Sequence, residues 1–123
     1  MEYTIESRDS YLEVKQSGLC ELRVYGECLA AVLEHESWTP GTPTLVDQTE
    51  LDAGTLTINE VRALATQCGA RREEAGSSRL AILVARDLEF GMNRMWGVFV
   101  EDQWDVVLGV FRSKEEAVAW LTA

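Results

Sequence analysis

The sequence predicts an α/β fold: a mixed sheet of about five or six strands with helices packed on its faces. The first 25 residues show strand-like patterns separated by short turns, which favour antiparallel neighbours. Helical and strand patterns then alternate, and this order requires right-handed crossovers between parallel strands. The run from Leu80 to Ala85 is apolar throughout, as expected for a central strand covered on both faces.

The elements follow from local patterns. Alternating or apolar runs predict strands at residues 3–7, 11–16 and 20–25. Apolar residues at helical spacing predict a short amphipathic helix over residues 27–36. Both prolines fall within residues 37–43, which we therefore expect to form a loop.

The rest of the chain contains two helix starts of the capping-box type, in which Thr57 precedes Glu60 and Ser113 precedes Glu116 by three residues. Gly69 is the expected end of the first of these helices. The predicted elements, in order, are a strand ending at Asp47, a helix over 57–68, an exposed segment over 70–78, a strand over 79–85, a helix over 87–102, a strand over 104–111 and a terminal helix from 113 to 121.

Length, composition and charge limit the classes of function. The 123 residues, 46% of them apolar, suffice for one core, so we expect a single domain over residues 1–123. Lys and Arg number 11 against 21 Asp and Glu, a formal net charge of −10. Phosphate backbones and anionic membrane surfaces are repelled by such a charge, so nucleic acid is not an expected partner.

Cysteine spacing and the absence of long apolar runs indicate a compartment. The three cysteines, Cys20, Cys28 and Cys68, match neither a zinc site nor a redox pair, and Cys20 and Cys68 have the surroundings of small core residues. No apolar stretch approaches the roughly 20 residues that span a bilayer. We therefore expect a soluble cytoplasmic protein with reduced thiols and no membrane insertion.

The junction between the strand ending at Asp47 and the helix starting at Thr57 is the first candidate site. Strand carboxyl ends and helix N-termini present free N–H groups and a partial positive charge, which suit an anion or a partner's carboxylates. The candidate residues for binding a partner or an anion there are Asp47, Asp52, Thr55 and Thr57.

The helix predicted over residues 87–102 is the second candidate site, because its apolar arc is wider than one sheet face needs to cover it. Methionines and aromatic residues adapt to flexible apolar ligands, and they also form the interfaces of symmetric dimers. The candidate residues for an apolar ligand or a homodimer face are Phe90, Met92, Met95, Trp96 and Phe99.

Three segments resemble the small bacterial SpoIIAA-like proteins: Leu45-Val46-Asp47 before a capped helix, the run over 80–95, and the ending over 110–121, which has the most specific pattern. The resemblance spans nearly the whole chain. It implies a fold similar to the STAS domain of anti-sigma-factor antagonists and, more distantly, to CRAL-TRIO lipid carriers. It also implies a non-enzymatic regulatory or protein-interaction module of STAS type.

One feature of STAS domains is missing from this sequence. Phosphoregulated STAS domains have an Asp-Ser-Ser-Gly type motif at a helix start, where a kinase-type partner phosphorylates the serine. Residues 47–57 contain no Asp-Ser pair, and Thr55 or Thr57 would occupy the equivalent place. Because a threonine before a helix is typically an N-cap, the usual phosphoswitch is not expected.

Catalytic motifs are not evident. His35 is the single histidine and lies between two glutamates near a predicted helix end, and there is no phosphate loop, dinucleotide fingerprint or His-Glu-x-x-His motif. We therefore predict no catalytic residue, metal or cofactor. Three hypotheses follow: an interaction module with a protein partner, which is favoured; a carrier or sensor of a small apolar ligand or lipid; and, least supported, a hydrolase.

Overall fold

A computed structural model describes residues 1–123. Its elements are β1 Glu2–Ser7, β2 Leu12–Leu19, α1 Leu22–Leu33, β3 Thr44–Asp52, α2 Ile58–Ala70, α3 Arg72–Ala75, β4 Arg79–Leu83, α4 Asp87–Glu101, β5 Val107–Phe111 and α5 Lys114–Leu121. The five strands form one sheet and lie side by side in chain order. β1 is antiparallel to β2, and the remaining neighbours are parallel, so the predicted mixed sheet is confirmed.

The sheet has helices on both faces. Buried residues of α2 and α4 pack with Leu80, Ile82 and Val84 on one face, where α1 packs against β2. On the opposite face, Ala117 and Leu121 of α5 pack against β3 and β4. This arrangement explains the apolar run of β4, because that strand contributes to the core on both of its faces.

The prediction of a strand over residues 20–25 was wrong, since α1 begins at Leu22. Its buried residues Val24, Cys28 and Val32 follow one another at four-residue intervals, which is helical spacing. The alternation seen before Gly26 is coincidental, and the predicted helix over residues 27–36 is only the second part of a helix that ends at Leu33. Cys20 is nevertheless buried, as expected.

The two helix caps form as predicted. Thr57 Oγ1 accepts a hydrogen bond from the Glu60 N–H at 3.2 Å, and Glu60 Oε1 accepts one from the Thr57 N–H at 3.0 Å. Ser113 accepts a hydrogen bond from the Glu116 N–H at 3.3 Å. Both helices therefore begin where the sequence indicated.

Gly69 does not end α2, which continues to Ala70 and is followed by the short helix α3. The chain reverses instead at Gly76, whose φ is +71° and whose missing Cβ would lie 2.7 Å from the Gly41 nitrogen. A residue with a side chain would be strained and would clash there, so Gly76 fixes the turn that leads into β4.

Candidate functional site

A bulge in β3 determines which of its side chains face α1 and α2. Lys15 pairs with Asp47 but Ser17 pairs with Glu50, so β3 contains one more residue than β2 over this stretch. The extra residue shifts the alternation of side chains. As a result Gln48, within the bulge, and Leu51, after it, both line the space under the helices.

The larger of two chambers lies between α1, α2 and the sheet and has a volume of about 80 Å³. It extends inward from the amino ends of the parallel strands, where Thr44, Ser78 and Trp104 line it. Its lining residues are mostly apolar and none is charged: Val14, Gln16, Tyr25, Cys28, Leu29, Val32, Leu33, Trp38, Thr44, Val46, Gln48, Cys68, Ala75, Ser78, Leu80, Ile82, Trp96 and Trp104.

A smaller chamber of about 30 Å³ lies further toward the carboxyl ends of the strands, where Leu51, Ala53 and Leu56 line it. Residues 53–57 form the loop that joins β3 to α2, so this chamber lies beside that loop. Tyr25, Gln48 and Trp96 line both chambers and form the wall between them. No charged residue lines the smaller chamber either.

A chain of hydrogen-bonded polar side chains crosses the core at this wall. Asn93 Nδ2 donates to Gln48 Oε1 at 2.9 Å, and Gln48 Nε2 donates to Gln16 Oε1 at 2.9 Å. Gln16 Nε2 in turn donates to Cys28 Sγ at 3.6 Å. Both glutamines are buried, so these bonds compensate for the loss of their hydration.

The indole N–H of Trp96 lacks such a partner. Trp96 is 4% exposed, and no protein atom accepts a hydrogen bond from its Nε1. Two other buried side-chain atoms lack a hydrogen-bond partner, one oxygen of Glu13 and the side-chain oxygen of Gln67. The Glu13 oxygen nevertheless lies 3.1 Å from Lys114 Nζ in an ion pair. Trp96 is therefore the one residue of the chamber walls with a buried polar atom that has no partner.

The thiols and the phenol near the chambers are protonated at neutral pH. Burial raises the pKa of Cys68 to about 12 and that of Cys20 to about 11, and it also raises the pKa of Cys28. Burial likewise raises the pKa of Tyr25, well above its ordinary value of 10.0. Because the thiolate is the reactive form of cysteine, none of these sulfurs is prepared for nucleophilic attack.

A charged cluster lies at the carboxyl ends of β3 and β4. Arg86 donates to both carboxylate oxygens of Glu89, at 2.7 and 2.6 Å, and to Asp52 at 3.2 Å. Glu89 is only 2% exposed, and it also accepts the Ala53 N–H at 3.2 Å. The Arg86 guanidinium lowers the pKa of Glu89 despite burial, so the carboxylate is ionised and holds the loop after β3 in place.

Three of the four candidate residues of the strand–helix junction, Asp47, Asp52 and Thr57, are engaged within the chain. β3 continues past Asp47 to Asp52, so Asp47 lies inside the strand, where it accepts hydrogen bonds from the N–H and hydroxyl of Thr49. The Gly54 N–H and Arg86 lower the pKa of Asp52 by hydrogen bonding to its carboxylate. Thr57 caps α2, and Thr55 is exposed in the turn before it.

The candidate residues of α4 separate into three groups. Met92 lines the smaller chamber and Trp96 lines both chambers. Phe90 lies beneath the Arg112 and Arg94 guanidinium groups, at 5.0 and 5.9 Å from the ring centre, and Phe99 lies beneath Arg62 at 4.9 Å. Met95 is half-buried against the core. Cation–π contacts thus cover part of the apolar arc of α4.

The single histidine, His35, lines neither chamber. His35 follows α1, and its Nδ1 accepts a hydrogen bond from the Ser37 N–H at 3.1 Å. No group of three or more His, Cys, Asp or Glu side chains is arranged to hold a metal ion. None of the helices has the length and apolarity required to span a bilayer.

Comparison with known proteins identifies the fold. No family model matches the sequence, and no curated protein does. The structure is similar to the crystal structure of an uncharacterized protein of the DUF3478 family, with a SpoIIAA-like fold, from Shewanella loihica PV-4. The TM-score is 0.63 at 23% sequence identity, and the match covers 98% of this chain and 92% of that one. This protein therefore has a SpoIIAA-like fold, as the sequence resemblance implied.

Proposed function

We propose that this protein is a non-enzymatic binding module that takes up a small apolar molecule in the two chambers. The observation that supports this function best is the uncharged, largely apolar chamber of about 80 Å³ between α1 and the sheet. Protein interiors are usually packed as densely as organic crystals, with few voids larger than a water molecule. The lining, apolar with a few polar groups, has the composition of a small-molecule site, and the volume is several times smaller than the roughly 300–1,000 Å³ of pockets for drug-sized ligands.

The volume limits the size of the molecule. An engineered apolar cavity of roughly 150 Å³ in another protein binds benzene, so a chamber of about 80 Å³ accepts a molecule of only a few heavy atoms in its present form. A molecule with a chain of five carbons must therefore extend from the larger chamber into the smaller one past Gln48 and Trp96, or outward past Trp38. Trp38 belongs to the loop between α1 and β3, and its Nε1–H donates to the Glu74 carbonyl at 3.0 Å.

The position of the smaller chamber favours a sensor as well as a carrier. It lies beside the loop over residues 53–57, and Asn93 in its wall donates both to Gln48 and to the Glu89 carbonyl. Glu89 holds the same loop through the Ala53 N–H. A molecule that displaces Gln48 or Asn93 would therefore change the support of that loop.

Binding of an apolar probe tests this function. Titration of the labelled protein with pentane should give saturable NMR shifts at residues of the chamber walls, and Val46→Phe, which fills the larger chamber, should abolish them. Val107→Phe makes the same substitution at a site on β5 that is 55% exposed and should leave binding intact. Native mass spectrometry of the purified protein would then identify a natural ligand. Absence of saturable shifts in the unsubstituted protein would refute the proposed function.

A protein-interaction surface at the carboxyl end of the sheet is the second candidate function. Leu19, Ile58 and Leu88 are 47%, 59% and 45% exposed. Leu19 pairs with Asp52 in the sheet register, and Leu88 lies 3.7 Å from the position of a Cβ on Gly54, so both flank the candidate junction. Exposed apolar residues grouped in this way are typical of surfaces that bind a partner.

Affinity capture with matched baits tests the second function. The wild-type protein and Val98→Glu, whose substitution lies far along α4, should retain the same partner from an extract of the native host. Leu88→Glu should lose it. Equal recovery by all three baits would mean that the partner binds a different surface of this protein or is captured non-specifically.

A homodimer formed through α4 is also part of the proposal. Val98 on this helix is 64% exposed, and a twofold contact would cover it with its own copy. Phe90 offers less free apolar surface for this contact than the sequence suggested, because Arg94 and Arg112 cover its ring. Val98 is therefore the better position at which to test the contact.

A further inference from the structure

We propose that the chambers select a neutral apolar molecule with one acceptor oxygen, such as a short ketone or ester, and that this oxygen binds the Nε1–H of Trp96. This inference rests on the proposed function, because it names the ligand class of the same cavity.

The tryptophans of the chamber wall show why Trp96 is distinct. Trp38 Nε1 donates to the Glu74 carbonyl at 3.0 Å, and Trp104 Nε1 donates to the Gly76 carbonyl at 2.8 Å. Trp96 is more deeply buried than either, yet its N–H has no acceptor in the protein. Buried donors without a partner are rare because they lose their hydration without compensation, so this N–H requires an acceptor from outside the chain.

The wall of the chambers also determines the charge of the ligand. No Asp, Glu, Lys, Arg or His is among the residues that line either chamber. A carboxylate or an ammonium group would therefore be buried without a counter-ion, which is far more costly than burying a neutral carbonyl. A free fatty acid in its ionised form is excluded on this ground.

Gln48 provides a second donor at the same wall. Its amide nitrogen has two N–H groups, and the structure uses one of them, toward Gln16. A carbonyl oxygen has two lone pairs and can accept from both Trp96 and Gln48. A water molecule offers the same lone pairs, and it is the competing occupant that an experiment must distinguish from a ligand.

The experiment compares three probes of equal carbon number: pentane, methyl propyl ketone and pentanoate. They are titrated at neutral pH into the labelled full chain while the indole N–H signals of its four tryptophans are followed by NMR. Trp96→Phe assigns the signal of interest. We expect the ketone to change the chemical shift of this proton in the direction that a new hydrogen bond produces. Pentane should not produce that change.

The variant also supplies an affinity test that does not depend on its stability. Trp96→Phe should weaken binding of the ketone by about two- to tenfold more than it weakens binding of pentane, the effect of one neutral hydrogen bond. Trp104→Phe, in the lining of the larger chamber, should weaken the binding of both probes equally. The ratio between probes cancels any general loosening of the fold.

Each contrary result would overturn a different part of the proposal. No saturable binding of any probe would overturn the proposed function and this inference together. Binding of pentane and ketone with an unmoved Trp96 signal and equal losses in Trp96→Phe would overturn this inference alone and would indicate that water satisfies the indole. Pentanoate binding as tightly as the ketone would overturn the requirement for a neutral ligand.

Discussion

Replacing Glu89 by glutamine should destabilise the folded protein by about 2 kcal/mol, because glutamine has the same shape but not the charge that Arg86 binds. The carboxylate accepts two hydrogen bonds from Arg86, at 2.7 and 2.6 Å, and one from the Ala53 N–H. Glutamine keeps one acceptor oxygen, so the bond that is lost is the one from Arg86 to the other oxygen, and a hydrogen bond to a charged group contributes about 1.5–3 kcal/mol. The Arg86 side chain is 55% exposed, so solvent screens the pair and the lower part of that range applies.

Urea unfolding at several pH values measures the effect and its cause. Arg86 lowers the pKa of Glu89 below its ordinary value of 4.5, so the stabilisation is fully present above that pH and is lost as the pH falls through the pKa of the folded state. The difference in unfolding free energy between wild type and Glu89→Gln should therefore be constant near neutral pH and should shrink in acid. Glu115→Gln, in the exposed first turn of α5, is the matched control and should change stability by less than about 1 kcal/mol. Equal midpoints for wild type and Glu89→Gln at neutral pH would refute this account of the cluster.

Three further predictions concern stability, reactivity and assembly. Thr57→Ala and Ser113→Ala should each lower the free energy of unfolding by about 1 kcal/mol in denaturant melts, whereas Thr57→Ser keeps the cap. An unchanged midpoint for Thr57→Ala would show that the cap does not stabilise the protein. Cys68, whose pKa burial raises to about 12, should react with a thiol reagent only as fast as the protein opens, and rapid native labelling would contradict its core position. Sedimentation over a dilution series should show a dimer that Val98→Glu disrupts more strongly than Phe90→Glu, and a wild type that stays monomeric at high concentration would exclude the dimer.

The fold was largely predictable because its main signals are local. The capping residues Thr57 and Ser113 satisfy N–H groups of their own helices, and the apolar run of β4 needs no distant partner to be recognised. The error over residues 20–25 has a physical origin. A six-residue window with apolar residues at every second position fits a strand, and the helical stripe of α1 becomes visible only when Cys28 and Val32 are included.

The sequence could not indicate the chambers, because the residues that define them come together only through tertiary structure. Gln16 and Gln48 lie 32 residues apart, and a single glutamine in a strand pattern normally indicates an exposed face. Nor does the sequence reveal the bulge that turns Gln48 and Leu51 to the same side of β3. The sequence contains one indication of this contact: Gln16 and Gln48 both occupy positions at which β2 and β3 should face the core. Two buried amides on neighbouring strands need hydrogen-bond partners, so a pair of this kind indicates a polar contact inside the core.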